Sequence, residues 1–231
     1  MGEMTPQCSE NCSASCGVCG TKNKIVNNSV ITRTLTPNPK SISSDPDVYR
    51  LLFSFSKKGS AVFHGHLDLV EIFSMAMCRA GLNVMYTQGF NPLVKIEIVA
   101  PLSLGISAGG EMAAVEFAEK CSPEEFTIKL NNALPSGIVV NKAESYLIPS
   151  GGKKYSLSSL LWGFGYRDNN GNMVYTEAKE EKACRNSLLA DGSSSYFLKR
   201  ESVLAKNIVC TGVDKPWTSF FEAYNFLYKK S

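Results

Sequence analysis

The chain has 231 residues, 44% of them hydrophobic and 19% charged, which is enough for one sizeable core or one core with a small satellite. A formal net charge of +3 is far from the strongly basic balance of a dedicated nucleic-acid binder, so no DNA partner is expected. No apolar run approaches the roughly 18 residues needed to span a bilayer, and the N-terminus is polar and cysteine-rich rather than signal-like; a cytoplasmic protein without a membrane partner is expected.

Four of the eight cysteines fall in the first nineteen residues: Cys8, Cys12, Cys16 and Cys19. Without a signal peptide a disulfide framework is disfavoured, so residues 1–20 read as a metal-binding module. Four thiolates suit a tetrahedral site, either structural zinc or an iron–sulfur cluster, and thiolates alone do not choose between them. The inner Cys12-x3-Cys16-x2-Cys19 has the spacing of a radical SAM cluster motif, but nothing the size of a catalytic barrel surrounds it. The other four cysteines are scattered singly and read as small buried hydrophobes. Residues 21–47 are polar and turn-rich and read as a linker.

The main domain begins at Val48. Val48 to Ser56 alternates as a strand and Lys57-Lys58-Gly59-Ser60 turns it. Phe63-His64-Gly65-His66-Leu67-Asp68-Leu69 then opens a helix that runs from about Leu67 to Ala80 and stops at Gly81. The loop that follows carries Gln88-Gly89-Phe90-Asn91-Pro92, and Val94 to Val99 alternates as a strand. Gly105 to Gly110 matches no phosphate-binding pattern and reads as a hairpin, with Glu111 to Phe117 as a further strand. Ser122-Pro123-Glu124-Glu125 carries a helix start, with Ser as N-cap and Pro at the first position, and that helix reaches about Leu134. Ile138-Val139-Val140 is a strand. The fold class is therefore α+β, and the β-α-β-β-α-β order over residues 48–148 is the ferredoxin-like pattern.

Residues 149–231 read as a smaller α+β extension. Tyr155 to Tyr166 is apolar and aromatic, Asp168 to Gly171 makes a hairpin turn, and Met173 to Thr176 returns. Glu177 to Leu189 looks helical, Tyr196 to Leu204 a strand, and Trp217 to Tyr228 an amphipathic terminal helix. The pairs Lys57-Lys58, Lys153-Lys154 and Lys229-Lys230 read as solvated surface charge.

His64 and His66 are the only histidines. Three readings of their segment stay open. Asp68 is a first-turn acid with His66 a cap or buried polar group; or His64, His66 and Asp68, with Glu111, hold a metal for a cryptic enzyme; or His66, Asp68, Gln88, Gly89, Phe90 and Asn91 line a binding crevice in which His66 titrates near neutral pH. Gly89 to Pro92 is in any case a turn, and Phe90 could stack on a base as sheet-faced RNA readers do. No Ser-His-Asp order, Walker loop or dinucleotide glycine fingerprint is present, so an autonomous enzyme is not supported.

Arg50, Phe55 to Gly59, His66 to Leu69, Arg79 to Leu82, Tyr86 to Pro92, Lys95, Pro101 to Gly105, Glu111, and Leu130-Asn131 with Leu134 to Gly137 form a linked set of blocks. This set resembles the radical-SAM-linked protein family, a bacterial domain of unknown function encoded beside, or fused to, a cobalamin-binding radical SAM protein. The likeness is clear over residues 48–145 and looser in the C-terminal third. Thr5 to Cys8 with Cys12 and Cys16-Gly17-Val18-Cys19 resembles the cysteine-rich end of that partner. The resemblance implies an accessory or substrate-binding partner of a radical SAM enzyme, with RNA modification as one setting and RNA as a further partner. It also implies several arginines on the first helix and a serine before the histidine; here those positions are Glu71, Met75 and Cys78, with Gly65 for the serine, and only Arg79 remains. That removes the natural phosphate contacts from this helix. The competing reading is a stand-alone RNA-binding module, by fold-level analogy with ferredoxin-like RNA-processing proteins of the repeat-associated type.

Overall fold

The computed structural model describes residues 46–168, 170–189, 198–208 and 215–230, the side chains of the last two aside. The four N-terminal cysteines and nearly all of the expected linker lie outside the described residues.

The first element of the described residues is strand β1 (Val48–Lys57), whose two faces are both buried along most of its length. Leu51, Phe53 and Phe55 point to one side and Arg50 and Leu52 to the other, the period-2 alternation of a pleated strand. A 3-10 turn (Gly59–Phe63) leads to helix α1 (His66–Arg79). Then come β2 (Ile96–Ile98), β3 (Ser107–Phe117), α2 (Pro123–Ala133) and β4 (Ile138–Ile148). The start of α2 follows the sequence signal, with the Ser122 hydroxyl accepting from Glu125 N at 3.3 Å and Pro123 in the first turn.

The remaining chain supplies the single turn α3 (Leu157–Leu160), β5 (Leu161–Arg167), β6 (Met173–Glu177), α4 (Glu181–Leu188), β7 (Lys199–Lys206), β8 (Trp217–Ser219), α5 (Phe220–Leu227) and β9 (Lys229–Lys230). All nine strands join one mixed sheet in the order β6-β5-β7-β3-β1-β4-β9, with β2 also on β3 and β8 also on β7. Strand β3 meets β2 through Ala113–Val115 and the parallel strand β7 through Ser107 and Ala108. The described residues thus form a mixed α+β structure in which strands from beyond residue 160 extend the sheet begun by β1 to β4.

Each face of the sheet is covered by its own apolar layer. On one, Leu69, Phe73, Ala76 and Met77 of α1 and Phe126 and Leu130 of α2 pack on Leu51, Phe53 and Phe55. The Phe53, Phe55, Phe73 and Phe126 rings meet at centroid distances of 4.9–6.2 Å. On the other, Phe220, Ala223 and Tyr224 of α5 pack with Leu52, Ala114, Tyr146, Phe164 and Tyr166. No helix among the described residues is long and apolar enough to cross a membrane.

Several local expectations change, among them that the scattered cysteines are buried: Cys78 is exposed and Cys121 and Cys184 are only partly buried. Gly109 and Gly110 lie inside β3 rather than in a hairpin, because β7 passes close: a Cβ on Gly110 would stand 2.8 Å from the Glu201 carbonyl oxygen. Trp217 to Ser219 form a strand on β7, and the terminal helix starts one residue later with Ser219 and Glu222 as a capping box. Lys57 is not solvated but fully buried.

Candidate site at the two ends of helix α1

Lys57 closes β1, and its ammonium donates to the carbonyls of Val62 at 3.3 Å and His64 at 3.1 Å. Burial holds its pKa below the ordinary lysine value; the Glu111 carboxylate opposes that shift and the Arg200 guanidinium adds to it. Gly105 N also donates to Val62 O at 3.0 Å. The segment that precedes α1 is therefore pinned from below by a buried cation and from the side by a backbone contact.

That anchoring sets the start of α1. Asp68 is exposed, and its Oδ2 accepts from Gly65 N at 2.7 Å, closing the first turn while placing negative charge at the positive end of the helix. His64 and His66 are half-buried, and His66 Nδ1 is buried without a hydrogen-bond partner. Asp68→Ala is expected to cost about 1 kcal/mol, measured by urea unfolding, as the loss of an N-terminal cap does; a variant as stable as the parent would show that the Gly65–Asp68 bond contributes nothing.

Helix α1 ends at Gly81, whose φ of +63° suits a residue without Cβ, with Leu82 N donating to Met77 O at 3.1 Å. The chain then doubles back. Thr87 N donates to Leu93 O at 2.7 Å, Leu93 N to Thr87 Oγ1 at 3.0 Å, and Lys95 N to Met85 O at 2.8 Å. These bonds present Gln88, Gly89, Phe90 and Asn91 as an exposed tip, with Gly89 at a φ of +140° and the Phe90 ring wholly in solvent. Tyr86 ties the arm to the helix through a 3.4 Å contact between its hydroxyl and Cys78 Sγ.

The six candidate crevice residues therefore fall into two groups. His66 and Asp68 stand at the first turn of α1, and Gln88 to Asn91 lie beyond its last. Fourteen helical residues place those ends about 20 Å apart. What joins them is the exposed ridge of α1: Leu67, Glu71, Met75 and Cys78 follow one another at spacings of four, four and three, leading to Tyr86, Phe90 and Leu93. Leu67 is 79% and Leu93 68% exposed. Among the described residues no three His, Cys, Asp or Glu side chains converge as metal ligands, so the structure does not gather His64, His66, Asp68 and Glu111 into such a set.

Two buried ionic groups escaped the sequence reading. In one, Arg200 grips Glu111 through two hydrogen bonds of 2.7 and 2.5 Å, reaches Glu181 at 3.3 Å, and lies 4.5 Å over the Phe164 ring. In the other, Arg50 pairs with Glu97, whose second oxygen accepts from Leu157 N at 2.7 Å at the start of α3. Arg50 Nε and the Tyr224 hydroxyl are buried there without partners, and Glu116, paired with Lys154, is the cross-strand neighbour of Arg50. The signal for the Arg50 group was a charged residue inside an otherwise apolar strand, as in Arg50-Leu51-Leu52 and Ile96-Glu97-Ile98, whereas Arg200, between Lys199 and Glu201, carries no such signal. Such a residue, when its strand is buried on both faces, needs a partner of opposite charge.

A family model described as "Uncharacterized protein conserved in bacteria (DUF2344)" matches residues 50–195 of the chain. No curated protein matches it.

Proposed function

We propose that this chain, which belongs to the DUF2344 family of uncharacterized bacterial proteins, is the accessory, substrate-binding partner of a radical SAM enzyme, with RNA as the substrate class. The observation that carries this reading is the exposed, largely apolar ridge of α1 and its hairpin: Leu67, Met75, Tyr86, Phe90 and Leu93 are all exposed, with Glu71 the charged residue between Leu67 and Met75. An exposed apolar path of this length, ending in a fully solvated phenylalanine on a loop shaped by backbone hydrogen bonds, suits a protein partner. It occupies positions at which the resembled family has arginines. Met75 and Cys78 in their place remove phosphate contacts and favour protein over nucleic acid on this face.

In this reading residues 48–148 are a ferredoxin-like unit, supported by the spatial strand order β4-β1-β3-β2 with α1 and α2 on one face. Cys8, Cys12, Cys16 and Cys19 hold zinc or an iron–sulfur cluster; the metal content and ultraviolet–visible spectrum of anaerobically purified protein distinguish the two.

The test is co-purification of the full chain with a cobalamin-binding radical SAM protein from the same source. Phe90→Ala is expected to leave stability within about 0.5 kcal/mol, because a solvated side chain carries little folding energy. It is expected to weaken the complex by tenfold or more, as an aromatic anchor does. Undiminished affinity in both Phe90→Ala and Met75→Glu would remove the ridge as the docking face.

A further inference from the structure

The face of β5, β6, β7 and β8 opposite Phe164 and Tyr166 holds three aromatic rings from three strands. Gly163 and Gly165 leave β5 bare on that side. A Cβ on Gly165 would stand 3.0 Å from the Tyr175 ring and 3.1 Å from Met173, so Tyr175 lies down across the strand instead of standing off it. Its centroid is 4.8 Å from that of Trp217, with the planes inclined by 32°. Trp162 follows at 6.3 Å from Trp217 and 41°. Tyr175 is 45% exposed and both tryptophans are half-buried.

Cations flank these rings. Lys215 Nζ stands 5.1 Å from the Trp217 centroid, and Lys206, exposed, is the cross-strand partner of Trp217 and spends one donor on Ser159 O at 3.0 Å. Two carboxylates of this region are matched, Glu201 by both Arg167 and Lys199 and Glu177 by Lys179 at 3.0 Å, while Glu180 lines a hollow beside Tyr175. Covering a sheet needs only apolar area. Inclined, partly exposed rings, beside ammonium groups that have no carboxylate partner among the described residues, offer what a nucleobase and its phosphate require.

We propose that Trp162, Tyr175 and Trp217 form a stacking platform for single-stranded RNA, with Lys206 and Lys215 on its phosphates. The proposal rests on the RNA arm of the function given above. It also divides the labour of the molecule: the α1 ridge takes the protein partner and this face takes the nucleic acid.

The experiment is fluorescence anisotropy of the full chain with a labelled single-stranded RNA of about 12 nucleotides, read together with quenching of the tryptophan emission. Tyr175→Ala is expected to weaken binding about tenfold, Tyr175→Phe to keep it within about twofold, and Lys206→Glu with Lys215→Glu to lower both affinity and its salt dependence. Thermal melts of Tyr175→Ala within a few degrees of the parent separate lost stacking from lost folding. Binding that survives both Tyr175→Ala and the double charge reversal overturns the platform while leaving RNA as a substrate. Quenching by a neutral glucan but not by RNA overturns it in favour of a sugar. Co-purification with the radical SAM protein and no RNA binding overturns the platform and the RNA arm together, but not the partnership.

Discussion

Arg200→Ala should lower stability by roughly 3–5 kcal/mol, the usual consequence of leaving one member of a buried ion pair without the other. Glu111 and Arg200 are 1% and 0% exposed, and the two parallel hydrogen bonds between them hold the guanidinium in its most favourable geometry for a carboxylate. Arg200 also donates to the Pro101 carbonyl at 3.3 Å and to Glu181 at the start of α4. Its loss would strip contacts from β3, from the chain after β2 and from α4 together. The Glu111 carboxylate also acts on Lys57, whose ammonium is committed to the Val62 and His64 carbonyls. The variant should therefore also loosen the start of α1. Replacing both partners by apolar residues, Glu111→Leu with Arg200→Met, should recover most of the loss, because a buried pair and a well-packed apolar pair are close in energy. Urea unfolding followed by circular dichroism measures both variants. Arg200→Ala within 1 kcal/mol of the parent would show that Glu111 finds another partner or water.

Local signals were readable wherever the determinant sits within a few residues. Ser122 and Pro123 announce α2, and Gly81 ends α1. The failures share a different cause. Lys57 sits in Lys-Lys-Gly-Ser, which reads as a solvated turn; in the fold its ammonium bonds the Val62 and His64 carbonyls and feels the Glu111 carboxylate, which is far away in sequence. Gly109-Gly110 reads as a turn for the same reason; the glycines are required by the close passage of Glu201, which no local pattern reveals. The candidate crevice residues lie at the two ends of α1, where the helix between them in sequence puts them. The aromatic face is the plainest case. Trp162, Tyr175 and Trp217 lie on separate strands, and only the pairing of β5 with β6 and β7, and of β7 with β8, brings them together.

Above pH 10 the protein should lose stability steeply and unfold, and the cause lies in three tyrosines. Burial is the chief reason that the phenols of Tyr146, Tyr166 and Tyr224 are held far above their ordinary pKa of 10.0. Hydrogen bonds to Glu144 and Glu181 add to this for Tyr146 and Tyr166, whereas Arg200 and Arg50 pull back on Tyr166 and Tyr224. A raised folded pKa means that the native state keeps protons the unfolded chain releases. The stabilisation is whole below pH 10 and drains away as pH rises toward the folded values. Each phenol contributes about 1.4 kcal/mol per pH unit in that window, so three remove about 4 kcal/mol per unit, and two units rival the whole stability of an ordinary domain. Lys57 acts with the opposite sign. Its folded pKa is depressed, so its contribution grows with pH up to the unfolded value of 10.5 and is then constant, one group against three. The profile should therefore be shallow on the neutral side and collapse on the alkaline side. Absorbance at 295 nm should show the exposed tyrosines ionising first and the buried three only as the circular dichroism signal is lost. Tyr224 separates the causes: its hydroxyl is buried without a partner, so Tyr224→Phe should be neutral or stabilising at pH 7 and should move the alkaline midpoint upward. Nine tyrosines titrating together near pH 10 with the helices intact would mean that the aromatic layer beneath α5 admits hydroxide without unfolding, and the packing of Tyr146 against Tyr224 would not be the barrier described here.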